Sequence, residues 1–213
     1  MSTKVYITVP NTGEITSELV DFLIYIRNDP RYDVRIESLK KTNRRSASHN
    51  RNMTVLEFLE TDCDWYLSVD SDTVPQKNPL DLIGADKDIV GFPTLIYRNQ
   101  FMWNVFIKNN SQDSYLYLEP SQLETIPSDL VECHGGGLQL HIGTGCILIR
   151  RNVLEAVKSP FSRTWSEDGT EFTGHDLAFC EKAIRAGFKV FFASRYICDH
   201  YKTVSFLEVT KSG

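Results

Sequence analysis

The first seventy residues alternate short apolar runs with stretches of helical periodicity, and this restricts the chain to a layered α/β arrangement with a parallel or mixed sheet. Lys4 to Val9 reads as a buried strand, closed by the turn chemistry of Pro10-Asn11-Thr12-Gly13. Ile15, Leu19, Phe22, Leu23 and Ile26 then keep helical spacing until Asn28-Asp29-Pro30 stops them. Asp33 to Leu39 reads as a second strand. Asn50 to Thr61, with Val55, Phe58 and Leu59 on one side, reads as a second helix, and Trp65-Tyr66-Leu67-Ser68-Val69 as a third strand that runs straight into Asp70-Ser71-Asp72. In such sheets ligands sit beyond the carboxyl ends of the strands, which is where both acids fall.

The second half is less regular. Aromatic and polar stretches between Tyr97 and Tyr117, and the loop Gly135-Gly136-Gly137, are expected to cover the sheet. Gly145 to Ile149 reads as a strand, Asn152 to Val157 as a short helix, Asp176 to Ala186 as a helix, and Phe188 to Phe192 as a strand. We expect one domain over residues 1–213.

With 41% hydrophobic and 24% charged residues the chain can bury a core. No run approaches the roughly 20 apolar residues that a membrane span needs. The start Met-Ser-Thr-Lys carries no signal-peptide pattern, so the expected location is cytoplasmic. The five cysteines, Cys63, Cys133, Cys146, Cys180 and Cys198, are odd in number and mostly sit in apolar runs, which suits reduced core thiols. Neither Cys133-His134 nor Cys198-Asp199-His200 has paired zinc spacing. A net charge of −5 argues against a general nucleic-acid binder. Locally, however, Lys40, Lys41, Arg44, Arg45 and Arg51 fall in twelve residues without a carboxylate, which reads as a patch for a small anion such as a diphosphate or as a solvated basic loop.

Asp70 and Asp72, at i and i+2 beyond a strand, can converge on one hard divalent cation, because oxygen ligands suit Mg²⁺ or Mn²⁺. The same residues fit a plain Asx-type turn. Thr173-Gly174-His175-Asp176 matches a capping box opening a helix. His134-Gly135-Gly136-Gly137 is not an oxyanion loop, since the chain holds no Gly-x-Ser-x-Gly elbow.

Arg51-Asn52 followed by Trp65 to Thr73 resembles the Arg-Asn helix and Asp-x-Asp strand of GT-A glycosyltransferases, particularly the small GT2-like and viral members. Gly143-Thr144-Gly145-Cys146-Ile147-Leu148-Ile149-Arg150-Arg151 is similar to the segment that opens their acceptor half. Gly174-His175-Asp176-Leu177-Ala178-Phe179-Cys180 is similar to their Gly-Glu-Asp-x-x-Phe-Cys helix start, with His175 standing where the family usually has Glu. Gly187-Phe188-Lys189-Val190 and Cys198-Asp199-His200 resemble the closing strand and histidine.

The resemblance implies a mixed, mainly parallel sheet with helices on both faces and a smaller acceptor-side subdomain. The nucleotide-binding half would span about 1–95 and the acceptor half about 96–213. It further implies a nucleotide-sugar donor, by default UDP-linked, a glycan or glycoprotein acceptor, and Mn²⁺ or Mg²⁺. Thr8 and Pro10 would lie against the base, Arg45 and Arg51 near the diphosphate, and Asp70-Ser71-Asp72 on the donor. Asp72, Asp70 and His200 would serve the metal, although a lone His is equally a satisfied interfacial residue. Asp176 would be the general base of an inverting, hexosyl-type transfer. Trp103, Trp165 and Phe161 read as stacking surfaces for an acceptor sugar or as core aromatics. The competing readings are a nucleotidyltransferase, which would carry a glycine-rich basic loop where this chain has Pro10 to Gly13, and a non-catalytic nucleotide-sugar-binding module.

Overall fold

A strand whose successive residues are all apolar needs cover on both faces, and the central sheet receives it. The computed structural model describes residues 2–11, 13–37, 46–109, 114–134, 139–165, 169 and 172–202. In chain order β1 (Thr3–Thr8), α1 (Ser17–Arg27), β2 (Tyr32–Glu37), α2 (Ala47–Leu59) and β3 (Trp65–Val69) alternate as expected. Then come β4 (Thr73–Pro75), a 3-10 helix (Pro79–Ala85), β5 (Ile89–Gly91), β6 (Leu95–Tyr97), β7 (Phe101–Asn109), β8 (Ser114–Leu118), α3 (Pro120–Glu124), β9 (Leu130–Glu132) and β10 (Leu140–Ile142). They are followed by β11 (Cys146–Arg150), α4 (Arg151–Ala156), β12 (Thr164–Trp165), β13 (Phe172–Thr173), α5 (His175–Arg185), β14 (Val190–Ala193) and β15 (Cys198–His200).

Seven strands form the main sheet in the order β2-β1-β3-β11-β5-β14-β9. β1 pairs in parallel with β2 and β3, and β14 with β5. β11 runs against both β3 and β5, and β9 against β14, so the sheet is mixed but mainly parallel in direction. Side chains alternate across it. Tyr6, Tyr66, Ile89, Ile147, Ile149 and Phe192 pack with Val55 and Phe58 of α2, Leu154 of α4 and Phe179 of α5. Val5, Ile7, Leu67, Val90, Leu148 and Phe191 pack on the other side with Leu19, Leu23 and Ile26 of α1 and Leu80 of the 3-10 helix. Helices therefore cover both faces. All five cysteines are buried and free, and no described helix is long and apolar enough to cross a membrane.

The stretch read as irregular cover is a second sheet, β10-β7-β6 with β8 added on β7. Its strands escape a period-two reading for two reasons. The turn from β6 to β7 is made by Asn99 at φ 65°, a left-handed position that Asn tolerates without glycine, and the β7–β8 register slips between Trp103 and Phe106. Trp103, Val105, Leu118, Leu140 and Ile142 join this sheet to the apolar layer under α5. Trp103 is 9% exposed and Phe161 0%, so these two are core aromatics and not sugar platforms, whereas Trp165 is 66% exposed.

The second helix starts earlier than its apolar pattern indicated. Ser46 caps it by accepting from the His49 amide at 3.3 Å, and its first buried residues, Asn50 and Arg51, are polar. The second strand is described to Glu37. Residues 38–45, with most of the basic loop and Arg45, lie outside the described residues, as do Gly135, Gly136 and Gly137.

The two sheets touch where Gly91 of β5 meets Ile142 of β10. A Cβ on Gly91 would lie 2.9 Å from the Ile142 Cβ, and closer still to its Cδ1. Gly91→Ala is therefore expected to cost about 1–3 kcal/mol through overpacking. Urea unfolding would show it as a lower midpoint at unchanged slope; a variant as stable as the parent would mean that this junction is loosely packed.

Candidate active site

A guanidinium removed from water must find its partners inside the protein. Arg51, on the buried polar side of α2, is only 3% exposed. Its Nη2 donates to Asp70 Oδ1 at 2.5 Å and to the Thr144 carbonyl at 3.3 Å. Its Nη1 lies 3.2 Å from His175 Nε2. One side chain thus joins the carboxyl end of β3, the approach to β11 and the start of α5. Burial works against the charged guanidinium, but Asp70 and Asp176 outweigh it and hold its pKa above the ordinary value. Burial also pushes the Asp70 carboxyl up against the pull of Arg51, and the charges of Asp176 and Asp72 add to the rise.

Asp176 occupies the first turn of α5, where a carboxylate is favoured by the helix dipole. Its Oδ1 accepts from Thr144 Oγ1 at 2.5 Å and lies 2.8 Å from His175 Nε2. Burial raises its pKa, yet His175, Arg51 and Thr144 more than offset that and hold the carboxyl below its ordinary range. His175 Nε2 serves two neighbours of opposite need: Arg51 can only donate to it, and a carboxylate can only accept from it. His175 therefore touches the carboxylate that the family's Glu would precede. The capping-box reading is corrected: the N-cap is Gly174, without a side-chain cap bond, and the Asp176 Oδ1 contacts are Thr144 and His175.

Asp72 sits between β3 and β4, and β4 pairs antiparallel with β15 so that His200 lies opposite Thr73. The Tyr201 amide donates to the Asp72 carbonyl at 2.8 Å. His200 Nδ1 lies 3.2 Å from the Leu95 carbonyl. A carbonyl only accepts, so Nδ1 carries a proton, and Nε2 faces Asp72 Oδ2 at 3.3 Å, where it donates when it too is protonated. Lys202 Nζ donates to the same oxygen at 2.5 Å. Burial raises the Asp72 pKa, but hydrogen bonds from His200 and Lys202 reverse this and bring it down to about 2.

Among the described residues no group of three His, Cys, Asp or Glu side chains converges as a metal shell. Asp72 and His200 nevertheless fit a divalent cation whose remaining positions are filled from outside the protein: one is a hard anionic oxygen, the other an imidazole whose second nitrogen faces a carbonyl. Asp70 is differently placed, since its Oδ1 is held by Arg51.

Two clefts flank this acidic segment. One, of about 530 Å³, is lined by Glu14, Ile15, Thr16, Ser71, Asp72, Tyr201 and Lys202. The other, of about 290 Å³, has Arg51, Asp70, His175, Asp176 and His200 on its walls, with Phe106 and Tyr117 of the second sheet also lining it. Asp70, Ser71, Asp72, Asp176, His200 and Arg51 are thus brought together. Thr8 is fully buried in β1, and Pro10 lines neither cleft. The role of Thr144, which lies in the Gly143 to Arg151 segment, the orienting contact of His175 with Asp176, and Lys202 were not read from the sequence; hydrogen bonds formed on folding put them there.

No protein-family model and no curated protein matches the chain. Among solved structures, A197 from STIV matches with a TM-score of 0.56 at 20% identity, over 95% of this chain and 87% of that one. A glycosyltransferase involved in the glycosylation of the major capsid of PBCV-1 matches with a TM-score of 0.50 at 12% identity, over 98% of this chain and 97% of that one. The fold is the GT-A-like fold of glycosyltransferases, as the sequence resemblance implied.

Arg51→Met would strand Asp70 and His175 without their shared cation, at an expected cost of roughly 1–3 kcal/mol; the figure is held at the low end for a broken ion pair because Asp70 keeps 33% exposure. Adding Asp70→Asn should recover part of that loss. Denaturant melts of the single and double variants measure the coupling, and strictly additive losses would show that the two groups do not depend on each other.

Proposed function

We propose that the chain is a metal-dependent, inverting glycosyltransferase that moves a sugar from a nucleotide diphosphate, by default UDP, to a hydroxyl of a glycan or glycoprotein. The observation that carries this reading is the convergence of Asp70, Asp72, Asp176 and His200 beyond β3, between two clefts of unequal size. The GT-A-like fold supports it.

The larger cleft beside Ser71 and Asp72 suits the nucleotide, and the smaller one the transferring sugar and acceptor. Asp72 and His200 would hold Mn²⁺ or Mg²⁺, which supplies charge neutralisation for a departing diphosphate. Asp176 would take the proton of the attacking hydroxyl at its carboxylate. Its depressed pKa keeps it ionised, and Thr144 and His175 fix its orientation. Arg51 contributes by positioning Asp70, and a direct diphosphate contact would need its present network to open. Thr8, buried, would support the base site from beneath, with Pro10 beside it, and Arg45 remains a candidate for the diphosphate.

Donor cleavage across a panel of UDP-, GDP- and dTDP-sugars, with Mn²⁺ or EDTA, tests the assignment. Asp176→Asn is expected to keep donor affinity and lower kcat by about 10²–10⁴. NMR of the product should show an inverted anomeric configuration, and a retained one would exclude this role for Asp176. His175→Ala removes the strongest influence lowering the Asp176 pKa. The carboxyl then rises, and the acid limb of the kcat/KM profile should move to higher pH. A limb that stays in place would assign His175 to Arg51 alone.

A further inference from the structure

The larger cleft contains a cation of the protein's own. Lys202 Nζ donates to Asp72 Oδ2 at 2.5 Å, on the same oxygen that faces His200 Nε2 at 3.3 Å. An ammonium held on this carboxylate oxygen repels a metal ion bound at the same place, because the two positive groups are brought close together. The ammonium is therefore positioned to compete with a divalent cation in the free protein. Among the described residues, Glu14 and Asp72 are the acidic ones lining the cleft and Lys202 the basic one.

Arg51 and Lys202 differ in freedom. The Arg51 side chain is 4% exposed and bound on three sides, whereas the Lys202 side chain is 60% exposed. Its backbone stays anchored all the same, since the neighbouring Tyr201 amide donates to the Asp72 carbonyl at 2.8 Å. Lys202 can thus release Asp72 and still point into the cleft.

We infer that Lys202 is an exchangeable donor-binding residue: its ammonium rests on Asp72 in the free protein and passes to the donor's diphosphate when nucleotide and divalent cation enter together. This rests on the donor site proposed above. The exchange needs no proton transfer, only the replacement of one ion pair by two. Its consequence is reciprocal coupling, because nucleotide that draws Lys202 away strengthens metal binding, and metal that displaces Lys202 strengthens nucleotide binding by the same factor.

The test compares the parent with Lys202→Met, which keeps a long stem without charge, and with Lys202→Arg, which keeps the charge. Free Mn²⁺ is followed by electron paramagnetic resonance without nucleotide, and UDP binding by calorimetry at saturating Mn²⁺. Lys202→Met should bind Mn²⁺ alone more tightly, while its UDP affinity should fall by about tenfold or more, as loss of a charge-assisted hydrogen bond predicts. Lys202→Arg should stay near the parent in both. Mn²⁺ affinity that is unchanged or weaker in Lys202→Met, with UDP still bound by the parent, would overturn the exchange while leaving the donor site standing. If the parent binds no nucleotide diphosphate with or without Mn²⁺, the donor site fails and the role of Lys202 with it.

Discussion

The buried guanidinium of Arg51 sets the terms for everything around it. A permanent charge at 3% exposure is tolerable only if fixed partners replace water on several sides. Those partners come from β3, the approach to β11 and the start of α5, so three remote segments are held in one register. The carboxylates are divided as a result. Asp70 is committed to a locked cation, Asp72 to an exposed and exchangeable one, and Asp176 to a hydroxyl and an imidazole. Three acids so close together would otherwise repel one another, and separate partners let each keep its own position.

The direction of β11 matters equally. A strand running against β3 and β5 begins where those strands end, so its first residues arrive at the carboxyl edge of the sheet. The Gly145 carbonyl accepts from the Asp70 amide at 2.7 Å, which ties the acidic turn to the β11 approach. Thr144, one residue earlier, offers its carbonyl to Arg51 and its hydroxyl to Asp176. An all-parallel sheet would bring only strand ends to this edge, with loops to finish the site.

What could be read from the sequence follows from how local the physics is. β1, α1 and β3 announce themselves because an apolar run or an apolar helical stripe is a property of consecutive residues, and Asp70 and Asp72 stand out against the apolar strand they follow. The first turn of α2 did not, because Ala47, Ser48 and His49 precede the apolar positions Val55 and Phe58 and carry no apolar stripe of their own. The second sheet was hidden by a bulge and by a left-handed Asn. His200 was identified only through resemblance, since its place depends on the pairing of β15 with β4. Thr144 and Lys202 acquire their roles from contacts that no spacing rule encodes.

The pairing of β15 with β4 has one further effect. Asp72 and Lys202 are separated by 130 positions in the chain, and His200 arrives beside Asp72 by the same route. Closing so long a loop is among the entropically costly steps of folding. A ligand gripping Asp72 and His200 together would act as a removable clasp between distant parts of the chain. Its hold would resemble that of a covalent cross-link, except that its strength would vary with the concentration of ligand in the surroundings.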